Sequence, residues 1–304
     1  MENNLVSVKI IIDEFRKELA LLYSQEEIMQ FIYLLFEERM GWRKAEVHIN
    51  FPISLNRENV IWFRNALDQL LKHRPIQYIL GCSQFLDVKI KVREGVLIPR
   101  PETEELVEML IHDYAHRQYE DLSLLDIGTG SGCISIVVKK HFPGMEVIAL
   151  DISPVALKVA EENSEFNQCK LKFIHSDILD RQEWKNFPGY NIIISNPPYV
   201  TESERSSMSQ NVLDYEPNEA LFVSDADPLQ FYSAIAEFAF LHLIRPGSLY
   251  FEINERFGSQ IRKCLLAIGF NKVEVLKDIH GKDRFIRGET RTTILDTSYW
   301  HVEH

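Results

Sequence analysis

The sequence predicts an α/β fold with a doubly wound, seven-stranded sheet behind a small helical bundle. Three observations predict it. From about residue 120 onward, apolar runs of strand length alternate with helix-length patterns, which implies a mostly parallel sheet. The first of these runs opens onto a glycine-rich turn followed by a helix, as at the ligand crevices of open α/β sheets. The first eighty residues show only helical periodicity.

In the N-terminal segment, Leu5, Val8, Ile11, Ile12, Phe15 and Leu19 recur at helical spacing. Ser24 followed by Glu27 reads as a capping box that opens a second helix, with Ile28, Phe31, Ile32, Leu35 and Phe36 on one face. A further helix spans roughly Arg57 to Lys72, carrying Val60, Phe63, Leu67 and Leu71, while Pro52 and Pro75 punctuate the bundle. These stripes read as core. Between Gln84 and Pro99 the chain alternates as Phe85, Val88, Ile90, Val92 and Val96 around Glu94-Gly95, predicting a two-stranded linker. The expected division is therefore 1–83 helical, 84–100 hairpin linker and 101–304 sheet domain.

Four strands of that sheet read as Leu124–Ile127, Glu146–Leu150, Leu171–His175 and Tyr190–Ser195. A fifth, Ser248–Ile253, follows the turn Arg245-Pro246-Gly247, and a sixth covers about Lys272 to Leu276. The seventh includes either Phe285-Ile286 or Thr292–Leu295. Helices intervene, for example Pro154–Phe166 and Leu229–Leu243. The polar tail 296–304 shows no evident chemistry.

Bulk properties agree with a soluble globular protein: 304 residues, 45% hydrophobic and 26% charged. No apolar run reaches membrane-spanning length and no signal-peptide pattern opens the chain, so a cytoplasmic location is expected. The four cysteines, Cys82, Cys133, Cys169 and Cys264, lack metal-ligand spacing, and His48, His175 and His280 read as structural or surface residues. No metal is expected. The net charge is −12, and residues 1–80 hold ten basic and eleven acidic side chains, so the acidity lies in the sheet domain. That balance disfavours direct nucleic-acid binding, whose affinity comes from phosphate neutralisation, and suits a basic protein partner.

The chemistry gathers at the strand ends. Leu124-Leu125-Asp126-Ile127 runs into Gly128-Thr129-Gly130-Ser131-Gly132. Glycines here permit positive φ and let a ligand approach the backbone. A dinucleotide fingerprint reads G-x-G-x-x-G; the spacing G-x-G-x-G argues instead for S-adenosyl-L-methionine. The next strand ends in Asp151, placed to accept hydrogen bonds from both ribose hydroxyls of an adenosine. The third is followed by Asp177, placed either to reach the adenine amino group or to cap the next segment, with Ile178 against the ring. The fourth ends in Asn196-Pro197-Pro198-Tyr199. Two prolines remove backbone donors and stiffen the turn, Asn196 adds a side-chain acceptor and Tyr199 a flat face. The same residues also make an ordinary strand-ending turn, but beside a methyl-donor site they suit a planar –NH2 group held by its two hydrogens.

The chain resembles the HemK/PrmC family of protein-glutamine N5-methyltransferases over nearly its whole length. The resemblance rests on His73–Gly81, on Ile98-Pro99-Arg100-Pro101-Glu102-Thr103-Glu104, on Tyr215-Glu216-Pro217-Asn218-Glu219-Ala220-Leu221 and on Asp278–Arg284, around the Asn-Pro-Pro-Tyr turn. Asp225–Leu229 departs from the glycine-rich turn of relatives. The resemblance implies a class I AdoMet-dependent methyltransferase domain with an antiparallel last hairpin, and an N-terminal bundle that recognises the partner. It implies as substrate the glutamine of the Gly-Gly-Gln motif in class I peptide chain release factors, with S-adenosyl-L-homocysteine as product. Asn196, Pro197 and Tyr199 are then the expected catalytic residues, Asn196 to Tyr199 the substrate site, and Gly128 to Gly132, Asp151, Asp177, Ile178 and Asn196 the cofactor site. From the residues alone, a nucleic-acid amino-methyltransferase acting on adenine N6 or guanine N2 stays open. An AdoMet-fold subunit that only binds a partner is a third reading, which the intact acidic, glycine and Asn-Pro-Pro-Tyr positions oppose.

Overall fold

A computed structural model describes residues 6–117 and 120–290. Leu5, the candidate strand Thr292–Leu295 and the tail 296–304 lie outside the described residues. Five helices come first: α1 (Val8–Glu18), α2 (Gln25–Met40), α3 (Lys44–Ile49), α4 (Arg57–Leu70) and α5 (Ile76–Leu80). A two-stranded sheet of β1 (Cys82–Phe85) and β2 (Val88–Lys91) follows. Then come α6 (Pro101–Tyr114), β3 (Ser123–Ile127), α7 (Cys133–His141), β4 (Glu146–Asp151), α8 (Pro154–Phe166), β5 (Lys172–His175) and β6 (Tyr190–Ser195). A segment of short elements holds β7 (Val200–Thr201), α9 (Gln210–Tyr215), α10 (Asn218–Leu221) and β8 (Phe222–Val223). The chain continues with α11 (Gln230–His242), β9 (Leu243–Glu252), α12 (Gly258–Ile268), β10 (Lys272–Lys277) and β11 (Asp283–Glu289).

These elements form two compact units: the described residues of Met1–Ser83 with Met208–Glu216, and those of Gln84–Ser207 with Pro217–His304. The smaller is the helical bundle. Its α2 opens on the capping box read from sequence, with the Glu27 N–H donated to Ser24 Oγ at 3.2 Å and the Ser24 N–H to Glu27 Oε2 at 3.0 Å. Phe15, Phe36 and Phe63 are fully enclosed, and the Phe36 and Phe63 rings lie 4.3 Å apart. Residues 208–216 were expected in the sheet domain but group with the bundle. Within that unit the Tyr215 hydroxyl donates to Lys72 O at 2.8 Å, a tie across 143 positions that periodicity does not reveal.

The larger unit carries the seven-stranded sheet, in the order β10-β11-β9-β6-β3-β4-β5. β11 runs antiparallel to both neighbours, while the other pairs are parallel. The seventh strand is thus Asp283–Glu289, built around Phe285-Ile286. β9 starts at Leu243 rather than Ser248, because its pairing with β6 jumps from Tyr190↔Leu243 to Ile192↔Ser248 and lets the intervening residues bulge. Ile192, Ile193 and Ile194 are all fully buried; side chains alternate along a strand, so both faces of the sheet are covered. Strand order reverses between β3 and β6, and ligands bind outside the carboxyl ends of the strands at such a point.

Candidate active site

A cavity of about 250 Å³ opens at this switch point. Gly128, Thr129, Gly130, Ser131, Asp151, Asp177, Ile178, Asn196, Pro197 and Pro198 all line it, so ten of the sequence-predicted site residues converge from four strand ends. Gly132 and Tyr199 do not line it.

The glycine loop has a defined shape. Gly128 and Gly130 have φ of 74° and 56°, and a Cβ on either would meet no atom within 4 Å. Their missing side chains therefore leave open space beside the backbone, which a ligand can fill. Gly132 serves packing instead. A Cβ there would stand 3.1 Å from Ala160 Cβ, so this glycine seats the loop on α8. The loop is fastened from below. Gly128 and Thr129 donate their N–H groups to Leu150 O at 2.8 and 2.9 Å. The Thr129 and Ser135 hydroxyls donate to Asp126 Oδ2 at 2.7 and 2.8 Å. Asp126 is wholly buried, and burial pushes its carboxyl up to about 6.

Asp151 also holds the loop. Its Oδ2 accepts the Gly130 N–H and its Oδ1 the Ser153 N–H, each at 2.8 Å, while burial raises its pKa. Asp177 Oδ1 accepts the Leu179 N–H at 2.9 Å, a local turn contact like the cap considered as its alternative role. Ile178 is buried. The two strands turn at Leu86-Asp87 rather than around Glu94-Gly95, so residues 92–100 follow the hairpin, and they contribute more than linkage. Gly95, Val96, Leu97, Pro99 and Arg100 line the cavity, and Val96 packs with Ala156 and Val159 of α8. Asn163 makes the join, accepting the Lys91 N–H at 2.7 Å and donating to Lys91 O and Ser131 O at 2.9 Å. Cys133 also lines the cavity, its thiol pushed up to about 12 by burial.

At the other wall, Asn196 Nδ2 donates to Thr103 Oγ1 at 3.0 Å. Thr103 Oγ1 in turn donates to Glu252 Oε2 at 2.6 Å, and the Tyr199 hydroxyl donates to Glu252 Oε1 at 2.9 Å. Glu252 is buried, which raises its pKa, against the lowering effect of both hydroxyl donors and the Arg284 guanidinium. Asn254 Nδ2 donates to Tyr199 O at 3.2 Å and to Glu204 Oε2 at 3.1 Å, fixing the far side of the turn. The sequence alone attaches no chemistry to Thr103 or Glu252. Thr103 lies inside a segment that carries only the family resemblance. Glu252 had one signal, an acidic residue ending a buried apolar strand, where ligand sites form.

Two family models match, the PrmC N-terminal domain over residues 11–81 and the Methyltransferase small domain over residues 103–219. A release factor glutamine methyltransferase of Flavobacterium psychrophilum is 39% identical over 275 residues, which cover 90% of this chain and 96% of that protein. The chain belongs to the release factor glutamine methyltransferase family. Members from Bacteroides thetaiotaomicron (40% identical, 89% of this chain and 96% of that protein) and Lactococcus lactis (44%, 83% and 93%) match in the same way. As a member of that family, the chain is a class I methyltransferase that uses S-adenosyl-L-methionine. The cavity fits that group: it offers the open cradle at Gly128 and Gly130, a buried carboxylate at Asp151 and an apolar wall at Ile178. Among the described residues no helix is long and apolar enough to cross a membrane, and no cluster of metal-ligating side chains occurs.

Proposed function

We propose that this enzyme methylates the side-chain amide nitrogen, N5, of the glutamine in the Gly-Gly-Gln motif of class I peptide chain release factors. The observation that carries the reading is the polarity of Asn196. Its Nδ2 is engaged with Thr103, which leaves Oδ1 as its acceptor, and Asn196 lines the cavity. An incoming –NH2 group is matched by that acceptor.

An amide nitrogen shares its lone pair with its carbonyl and is a poor nucleophile. Bound S-adenosyl-L-methionine supplies an electrophilic methyl group and departs as S-adenosyl-L-homocysteine. The protein's part is orientation. Asn196 Oδ1 and the Pro197 carbonyl each accept one substrate N–H, aiming the nitrogen while its lone pair localises. Tyr199 lies against the amide plane when the substrate enters, its hydroxyl held by Glu252. Alignment of this kind can lower a barrier by several kcal/mol, and acceptors facing a nitrogen that becomes positive add to it. The proton leaves after the bond forms, so no strong base is required beside the turn. Gly128 to Ser131, Asp151, Asp177 and Ile178 hold the methyl donor. A substrate of the translation machinery supports a cytoplasmic location.

The test offers purified enzyme methyl-labelled S-adenosyl-L-methionine with a release factor, with DNA or with rRNA. Label on the amide nitrogen of one glutamine is the expected result. Label on nucleic acid alone overturns the reading.

A further inference from the structure

We propose that Thr103 and Glu252 are positioning residues, which together decide that Asn196 presents its oxygen, rather than its amino group, to the substrate. The inference deepens the reading above and rests on Asn196 accepting a substrate N–H.

The network runs through three distant parts of the chain. Asn196 follows β6, Glu252 ends β9 and Thr103 lies in the first turn of α6. The register of β6 against β9 pairs Ser195 with Phe251, which sets Asn196 and Glu252 one step beyond, at the same level of the sheet. Thr103 bridges them and is 3% exposed; Glu252 is 1% exposed.

The direction of each bond follows from what each group can give. A carboxylate only accepts. The Thr103 hydroxyl has a single proton, and the 2.6 Å bond to Glu252 Oε2 uses it. Toward Asn196, the same oxygen can then only accept. Asn196 must meet it with Nδ2, at 3.0 Å, which leaves Oδ1 free of that contact. A flipped amide would set two acceptors against each other in a buried place, leaving both unsatisfied. An asparagine amide has no intrinsic preference between its two near-isosteric ends, so the choice has to come from its neighbours.

Glu252 acts on the turn at both ends. Its Oε2 reaches Asn196 through Thr103, and its Oε1 accepts directly from Tyr199. One carboxylate thus braces the first and last residues of the Asn-Pro-Pro-Tyr turn. The Tyr232 hydroxyl donates to the Glu252 backbone carbonyl at 3.2 Å and fixes the strand end from beneath. Arg284, paired with Asp278 at 3.3 Å, brings the positive charge that favours the ionised carboxylate.

The experiment measures steady-state methylation of a release factor by the full-length enzyme, with S-adenosyl-L-methionine affinity taken separately by calorimetry. Thr103→Val keeps the shape and removes the hydroxyl. It is expected to lower kcat on the order of 100-fold, as misoriented reacting groups do, while cofactor affinity stays within about twofold. Asn196→Ala, which removes the acceptor itself, sets the floor. Thr103→Ser restores the hydroxyl and most of the rate. Glu252→Gln is the independent second variant: its amide can donate toward Thr103, which frees the Thr103 proton to face Asn196 and reverses the amide. It is expected to lose kcat with cofactor affinity kept. A Thr103→Val enzyme within about twofold of the parent kcat, or a Thr103→Ser enzyme no faster than Thr103→Val, overturns the proposal. Failure of the parent enzyme to methylate the release factor would overturn the functional reading instead, so the two failures are told apart.

Discussion

Two buried carboxylates, Asp126 and Glu252, stand in matching places, at the C-terminal ends of β3 and β9, and each receives two hydroxyl protons. Asp126 shapes the glycine loop from below through Thr129 and Ser135; Glu252 shapes the Asn-Pro-Pro-Tyr turn through Thr103 and Tyr199. Neither lines the cavity, and both are held up in pKa by burial. For Asp126 the consequence for stability can be worked out. Its pKa rises from the ordinary 3.8 to about 6 on folding. Between those values the native chain keeps a proton that the unfolded chain has released. Stability therefore falls as pH rises through this window, and the full cost, about 3 kcal/mol, is present above it. Asp126→Asn carries no such titration. Urea unfolding of both proteins at pH 4.5 and 7.5 is expected to show the variant gaining about 2 kcal/mol on the parent between the two. Parallel pH profiles would rule out Asp126 as the source of the slope.

Among the elements, the segment that follows β2 and the first turn of α8 line one side of the cavity, and Asn163 is the fastening. Its fully buried side chain satisfies both backbone groups of Lys91 and the carbonyl of Ser131, linking β2 to the glycine loop. Asn163→Ala leaves those three groups unsatisfied in a buried place. A loss of about 2–4 kcal/mol is expected, since each orphaned polar group costs roughly 1–3 and some relax toward water. Because Ser131 lines the cavity, cofactor affinity is expected to fall with it; calorimetry beside a urea titration reads both. Which elements were legible in the sequence follows the same logic of local against distant contacts. Buried strands such as Tyr190–Ser195 and Glu146–Leu150 announced themselves as apolar runs, and the helix Pro154–Phe166 is found at the bounds expected. Residues 95–100 read as a linker because their packing partners, Ala156 and Val159 among them, are far away in sequence. The site divides likewise. The glycine loop and the Asn-Pro-Pro-Tyr turn are contiguous and could be read directly. Thr103 and Glu252 meet across 149 positions, and only the β6–β9 register and the placing of α6 bring them together.

At the scale of the whole molecule, charge separates a protein substrate from a nucleic acid. The net charge of −12 falls almost wholly outside residues 1–80, which hold ten basic and eleven acidic side chains. The residues after 80 therefore carry most of the negative charge, a balance expected to disfavour a phosphate backbone and to suit a basic protein surface. Such a field acts on encounter, where charges are separated by solvent and screened over about 10 Å at 0.1 M salt. It acts little on chemistry inside the cavity, where Asn196 and Thr103 are hydrogen-bonded and backed by the buried Glu252. The two effects separate in kinetics. Raising salt from about 50 to about 300 mM is expected to raise KM for the release factor several-fold, because steered association weakens with ionic strength. The kcat and the KM for S-adenosyl-L-methionine are expected to hold within about twofold. RNA added at the low-salt end is expected to leave the rate unchanged, since a nucleic-acid binder gains its affinity from released counterions and is strongest there. Inhibition by RNA that fades as salt rises would instead reveal a basic path to the cavity and overturn the charge argument.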